Sequence, residues 1–424
     1  MCGSPEETLV VSMENRLGLG FVRQPKTVLF GPGQRRQLGL MAKGLGRHAL
    51  LVTDERMART SEFEGLLANL VDEGLTVSVY DKALPDLPRS NIVEAVSLFK
   101  NKNVDLVVGV GGGSCMDLAK AVAVVLANGG DVRDFYGEFN VPGPGLPIIT
   151  VPTTGGTGAE VTSIAVIFDD ERGMKMAITD AHIEPTAAII DPELTLTCPR
   201  GLTAATAADA LSHLVEGFTA RPKNPSPQEL ATKIYVGKNR ITDIFCVKGL
   251  ELMNKSLGRV VANPLDLEAR SDVMFAAYCA GMVINTTGTA AAHAIQSPIA
   301  AFSHAPHGFG VGALLPYVMR FNLPYCTAEF AEIGRVLQAL SQDKPEMEQA
   351  RAGISRVEAL LATVEAPLEL KPIGVTPDHF NQVAAQSLKA GRLVLNNPAP
   401  MTEENVAALL KRGYDNDRSW WAQP

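Results

Sequence analysis

Much that would point to a macromolecular partner is missing from this chain of 424 residues. Cations are in the minority: 38 lysines and arginines face 46 aspartates and glutamates, for a formal charge of −8. They form no basic stripe, so no nucleic-acid partner is expected. No apolar run approaches the roughly 20 residues of a membrane helix, so no membrane partner is expected either. The opening stretch MCGSPEETLVVSMENRLGLGF has neither a basic start nor a long apolar core. That sets aside a secretory signal and leaves the cytoplasm as the expected location. The six cysteines (Cys2, Cys115, Cys198, Cys246, Cys279 and Cys326) are scattered, with no C-x-x-C pair. A chain of this size builds a core without disulfides, so they read as free thiols in a reducing compartment.

What is present is an ordinary globular composition, 46% hydrophobic and 20% charged. The length exceeds a single core and predicts two domains. In the first half, short apolar runs alternate with helical patterns. Strands are predicted at residues 48–53 (HALLVT), 76–80 (TVSVY), 104–110 (VDLVVGV) and 148–151, and helices at 61–73, 91–100 and 116–127. This alternation predicts an α/β domain with a parallel sheet and helices on both faces. The continuous apolar run at 104–110 fits a strand covered on both sides. Past DPELTLTCPR, at residues 191–200, β-rich runs vanish and apolar residues recur at helical spacing. The expected division is an α/β domain over 1–199 and an all-helical domain over 200–424.

Two polar turns follow strands of this sheet. The strand at 104–110 runs into Gly111-Gly112-Gly113-Ser114 and then a helix. A strand, a glycine turn and a helix N-terminus together make an anion site, because exposed N–H groups and the helix dipole favour negative charge. The spacing is neither G-x-G-x-x-G nor a Walker loop, and a tight turn without a ligand would look the same. The next strand leads into PTTGGTGAEVT at 152–162, rich in hydroxyl and backbone donors. Ligands of open α/β sheets bind at the carboxyl ends of strands, so both turns should face one side. Asp54, which ends the strand at 48–53, suits either ribose hydroxyls or local turn chemistry.

Of the seven histidines, His213, His293, His304 and His307 fall in the helical half near other polar groups. Asp209 and His213 are four apart, hence on one helix face, with Ala208, Ala210 and Leu211 around them. A carboxylate in such surroundings is costly without a partner. Any one of these histidines fits a hydrogen-bonded core side chain. Taken together, Asp209, His213, His293 and His307 make a candidate site for Fe²⁺ or Zn²⁺ with room for a substrate oxygen.

The strings GGGSCMDLAK, VPTTGGTGAEVT, IIDPELTLTCP, TAATAADALSHLVE and HAIQSPIAAFSHAPHGFGVGALLPYVMRFN resemble the iron-containing alcohol dehydrogenases, in order and spacing, from about residue 26 to about 410. The resemblance implies a Rossmann-like NAD-binding domain, a helical metal-binding domain and an active site in the cleft between them. It implies Asp209, His213, His293 and His307 as metal ligands, with Fe²⁺ or Zn²⁺ as a Lewis acid toward the substrate oxygen. It places Gly112, Gly113, Ser114 and Asp117 at the pyrophosphate of NAD(H), and Thr153, Thr154, Thr157, Thr162 and Lys175 along the nucleotide and nicotinamide. Asp54 matches the acidic position that favours NAD over NADP. A homodimer or larger assembly and a small alcohol or aldehyde substrate are implied as partners.

Two departures stand out. Many family members carry a further histidine four residues after the third ligand. Here that position is Ser297, which passes a proton along a hydroxyl–water chain but is no base near neutral pH. His304 is the candidate to replace it. The segment 225–239 reads as an insertion: a solvated excursion, or a lip whose Lys233 and Lys238, with Arg240 just after, favour an anionic substrate. Alternative readings are a zinc polyol dehydrogenase, a lyase resembling 3-dehydroquinate synthase, a hydroxyacid–oxoacid transhydrogenase that retains NAD, and a non-catalytic cofactor-binding protein.

Overall fold

The computed structural model describes residues 18–303 and 305–422. Its strands are β1 (Thr27–Phe30), β2 (His48–Val52), β3 (Thr76–Tyr80), β4 (Leu106–Gly111), β5 (Gly137–Glu138), β6 (Ile148–Pro152), β7 (Ile164–Asp169), β8 (Met174–Thr179) and β9 (Ala187–Ile190). Six of them form one sheet in the order β1-β9-β6-β4-β2-β3, every pair parallel. The strand pleat divides the apolar residues between two faces. Leu50, Val52, Val107 and Ile148 pack under helices Arg89–Phe99 and Gly113–Asn128. Ala49, Leu51, Val108 and Ile149 pack against Phe63, Leu66 and Leu70 of helix Ser61–Asp72. Every residue of β4 is buried, as its unbroken apolar run requires.

The winding fixes where a ligand can enter. From β2 the chain moves outward to β3, then crosses back to β4 and continues through β6 on the other side. The direction reverses between β2 and β4, and a crevice opens beyond their carboxyl ends. Asp54 follows β2 there and the glycine turn follows β4.

Two features were not legible. β1 and β9 are four-residue runs at one side of the sheet, too short for periodicity to separate from helix. β7 and β8 pair antiparallel and join β5 in a second sheet of three strands. Their inward residues Ala165, Ile167 and Ile178 cover the helix Gly113–Asn128 side of the main sheet.

Beyond Ile190 every regular element among the described residues is a helix. Helix Arg200–Thr219 is buried almost throughout from Thr203 onward. Its alanines let helices Arg240–Ala262, Leu267–Ile284 and His307–Asn322 approach closely. The two halves meet where Val161, Ala188 and Ile190 pack on Met274 and Met282. At that seam Gly158 has φ +68°, and a Cβ on it would lie 2.3 Å from the Cα of Gly281. Gly158→Ala therefore meets both a backbone penalty and a backbone clash. The expected result is a melting temperature several degrees lower, read by calorimetry; an unchanged value contradicts the close crossing.

Candidate active site

Helix Arg200–Thr219 carries Asp209, His213 and Glu216 on one stripe, at spacings of four and three. They are 4%, 5% and 2% exposed, too deep for ionisable groups without partners. The partners come from two other helices. Ala291–Ile299 supplies His293, and His307 opens His307–Asn322. The Nε2 atoms of His213, His293 and His307 lie 3.5, 3.5 and 3.7 Å from Oδ1 of Asp209. The rings of His213 and His293 stack with centroids 4.8 Å apart. Gly308 permits this approach, because a Cβ there would lie 2.0 Å from the carbonyl oxygen of Ala205.

Oδ1 of Asp209 and Nε2 of His293 are buried with no hydrogen-bond partner. Buried polar atoms are nearly always paired, so two orphans turned toward one point fit the place of a cation. One carboxylate and three imidazoles suit Fe²⁺ or Zn²⁺. Glu216 holds the opposite side of His293: its Oε2 lies 2.6 Å from Nδ1, while its oxygens also accept from the backbone N–H of Ala290 and Ala292 at 2.9 and 2.6 Å. Nδ1 of His307 is 3.1 Å from Oε1 of Gln296. Such contacts fix the ring orientation and turn Nε2 inward. Burial pushes the His293 imidazole down, but Glu216 and Asp209 together raise it to about 9. Burial likewise opposes ionisation of Asp209, yet His213, His293 and His307 hold its carboxyl well below the usual range. Glu216 and Gln296 were missed in the sequence. The signal was their spacing, each three residues after a candidate ligand on the same helix.

The four side chains Asp209, His213, His293 and His307 face a cleft of about 370 Å³. The wall opposite contains Gly113, Ser114, Asp117, Thr157, Thr162 and Lys175. Gly112 caps helix Gly113–Asn128, and the two polar turns touch, since a Cβ on Gly113 would lie 2.9 Å from Cγ2 of Thr157. Gly112, Thr153 and Thr154 sit outside the lining, the threonines buried beneath it. Asp117 accepts from the Val166 N–H at 3.0 Å and from Lys120 at 3.4 Å, and Lys120 also donates to Thr162 at 3.1 Å. Lys175 pairs with Asp86 at 2.7 Å. Asp54 is also outside the lining. Its Oδ1 caps a short helix by accepting from the Met57 N–H at 2.8 Å, and its Oδ2 lies 3.6 Å from the Cys115 thiol beside the glycine turn. The five described cysteines are free and buried, and Cys2 lies outside the described residues.

Ser297 lines the cleft. His304 lies outside the described residues. The basic-lip expectation for 225–239 needs correction. The segment holds a short helix, Pro227–Thr232, then buries Ile234, Tyr235 and Val236. Lys233 faces Glu138 at 3.7 Å, and Lys238 pairs with Asp243 at 2.6 Å over the Phe218 ring. Neither lysine lines the cleft and Arg240 is exposed, whereas Tyr235 does line it. The cations have local partners that one-dimensional spacing does not show.

Residues 25–192 match the model of the iron-containing alcohol dehydrogenases, and residues 203–414 match that of the C-terminal region of the Fe-containing alcohol dehydrogenase family. The chain belongs to the iron-containing alcohol dehydrogenase family. It is 34% identical over 388 residues to an NAD-dependent methanol dehydrogenase of Bacillus methanolicus, covering 91% of this chain and 98% of that protein. The crystal structure of a 1,3-propanediol oxidoreductase superposes with a TM-score of 0.87 at 28% identity, covering 94% of this chain and all of that one. A sulfoacetaldehyde reductase from Bifidobacterium kashiwanohense, solved with NAD⁺, superposes with a TM-score of 0.80 at 26% identity, again over 94% of this chain and 100% of that one. Membership fits the parallel sheet and helical second half, and no helix among the described residues is long and apolar enough to cross a membrane.

Glu216→Gln keeps the side-chain shape but removes the charge behind His293. Loss of such an outer partner is expected to weaken metal binding about 10- to 100-fold, read by chelator competition, and equal affinity contradicts the role.

Proposed function

We propose that this chain is a metal-dependent, NAD(H)-linked alcohol dehydrogenase or aldehyde reductase acting on a small alcohol or aldehyde in the cytoplasm, as a homodimer or larger assembly. The observation that carries the reading is the convergence of Asp209, His213, His293 and His307 on the same cleft as the glycine turn. These four would hold Fe²⁺ or Zn²⁺, which supplies Lewis acidity toward the substrate oxygen. NAD(H) supplies the hydride chemistry, and the protein's part is orientation and charge.

Each element of the chain has a task in this reading. The turn at Gly112, Gly113 and Ser114 presents N–H groups at a helix N-terminus, which suits a pyrophosphate. Asp117 and Thr162 are held by Lys120 and keep that wall fixed, with Thr157 and Lys175 further along it. Thr153 and Thr154 support the turn from beneath. Asp54 stands beyond β2, where a carboxylate repels a 2′-phosphate and favours NAD. Ser297 offers a hydroxyl to a proton leaving toward water and does not act as a base. The methanol dehydrogenase and the sulfoacetaldehyde reductase support NAD as the cofactor through what their names state.

The test is NADH oxidation with a panel of small aldehydes, before and after chelation. Chelated protein is expected to lose turnover and to regain it with Fe²⁺ or Zn²⁺. His307→Ala should lose metal and nearly all turnover while still binding NADH. Full activity in that variant, or in metal-free protein, contradicts the reading.

A further inference from the structure

Every acid on the cleft wall has its own counter-charge. Asp86 is paired with Lys175 at 2.7 Å, Asp117 with Lys120 at 3.4 Å, and Asp209 faces three imidazoles. Glu138, behind Tyr235, accepts from the Ile234 and Tyr235 N–H groups at 2.7 and 3.4 Å and faces Lys233. One cation of the lining stands differently. Arg392 lies in the short helix Gly391–Asn396, which packs on the helix bearing His293 and Ser297. Its guanidinium carbon sits 3.6 Å over the ring of Tyr235, and its Nη1 is buried with no hydrogen-bond partner. Gly288 leaves the room, since a Cβ there would lie 2.4 Å from Nη1.

An arginine does not relinquish its charge, so burial does not neutralise it. A guanidinium held flat on an aromatic face has lost its rotational freedom in advance and keeps its planar donor fork. That fork matches an oxoanion, which can accept two parallel hydrogen bonds. The pyrophosphate of the cofactor already has a candidate cradle at the glycine turn, on the sheet side of the cleft. Arg392 comes from the helical half, on a helix that packs on the one bearing His293 and Ser297, and Tyr235 lines the same cleft.

We propose that Arg392, seated on Tyr235, is a specificity-determining residue that binds an oxoanion at the end of the substrate remote from the reacting carbon, so that the enzyme acts on aldehydes or alcohols carrying a carboxylate or a similar oxoanion. This rests on the dehydrogenase reading above and names its substrate class. The insertion contributes through the Tyr235 ring, not through its lysines.

The experiment compares 4-oxobutanoate with butanal, and glyoxylate with acetaldehyde, on zinc-loaded enzyme saturated with NADH. The wild type should prefer the charged member of at least one pair. Arg392→Gln should lose about 10- to 100-fold in kcat/KM on that charged aldehyde, chiefly through KM, with the neutral aldehyde little changed. Arg392→Lys should fall between, since it keeps the charge and loses the fork. The KM for NADH should not move. A wild-type preference for neutral aldehydes, an equal loss on both members of a pair, or a loss confined to NADH overturns the proposal. A second arm is independent of turnover: calorimetry of 4-hydroxybutanoate binding to the zinc- and NAD⁺-loaded protein. Weaker binding by Arg392→Gln supports the proposal and equal binding overturns it, even where no aldehyde is turned over and the dehydrogenase reading itself has failed.

Discussion

One buried carboxylate organises the second half of this protein. Asp209 is 4% exposed in an alanine-rich helix, and by itself it would be a liability there. Three imidazoles from three helices converge on its Oδ1, and the geometry of those helices follows from that convergence. The alanines flanking Asp209 let neighbouring helices come close. Gly308 lets His307 arrive at the start of its helix without striking Ala205. Glu216 reaches from the same stripe to the far side of His293, so a second buried acid orients the ring that the first one faces. Two like-charged carboxylates this deep are tolerable only with positive charge near them, which the His293 imidazole and a divalent cation bound there would provide.

The sheet contributes the other side of the cleft by a different rule. Its winding reverses between β2 and β4, and both polar turns fall at that carboxyl edge. The hairpin of β7 and β8 then closes the flank, with Lys175 tied to Asp86 at the mouth. The candidate metal ligands from helices and the candidate anion donors from strand ends therefore share one space, although they belong to opposite halves of the chain.

Much of this was legible because it depends on local pattern. The apolar runs of β2 and β4, the alternation in β3 and the four-residue spacing of Asp209 and His213 are all patterns within one short stretch of chain. The four-residue strands β1 and β9 lacked enough residues to show a period. Lys233 and Lys238 looked available because their partners, Glu138 and Asp243, are fixed only by tertiary packing. Arg392 gave no signal at all: it is 157 residues from Tyr235 in sequence, and its lack of a carboxylate partner among the described residues is a property of the folded cleft. Asp54 shows that turn chemistry is real at that position: one oxygen caps a short helix and the other lies against the Cys115 thiol beside the glycine turn.

The central claim is that Asp209, His213, His293 and His307 hold a divalent cation. Anomalous diffraction from crystals soaked in Zn²⁺ tests it most directly. The account predicts a single strong peak about 2.0 to 2.2 Å from a carboxylate oxygen of Asp209 and from Nε2 of all three histidines. A peak elsewhere, or none, with the imidazoles bonded only to protein, would contradict it.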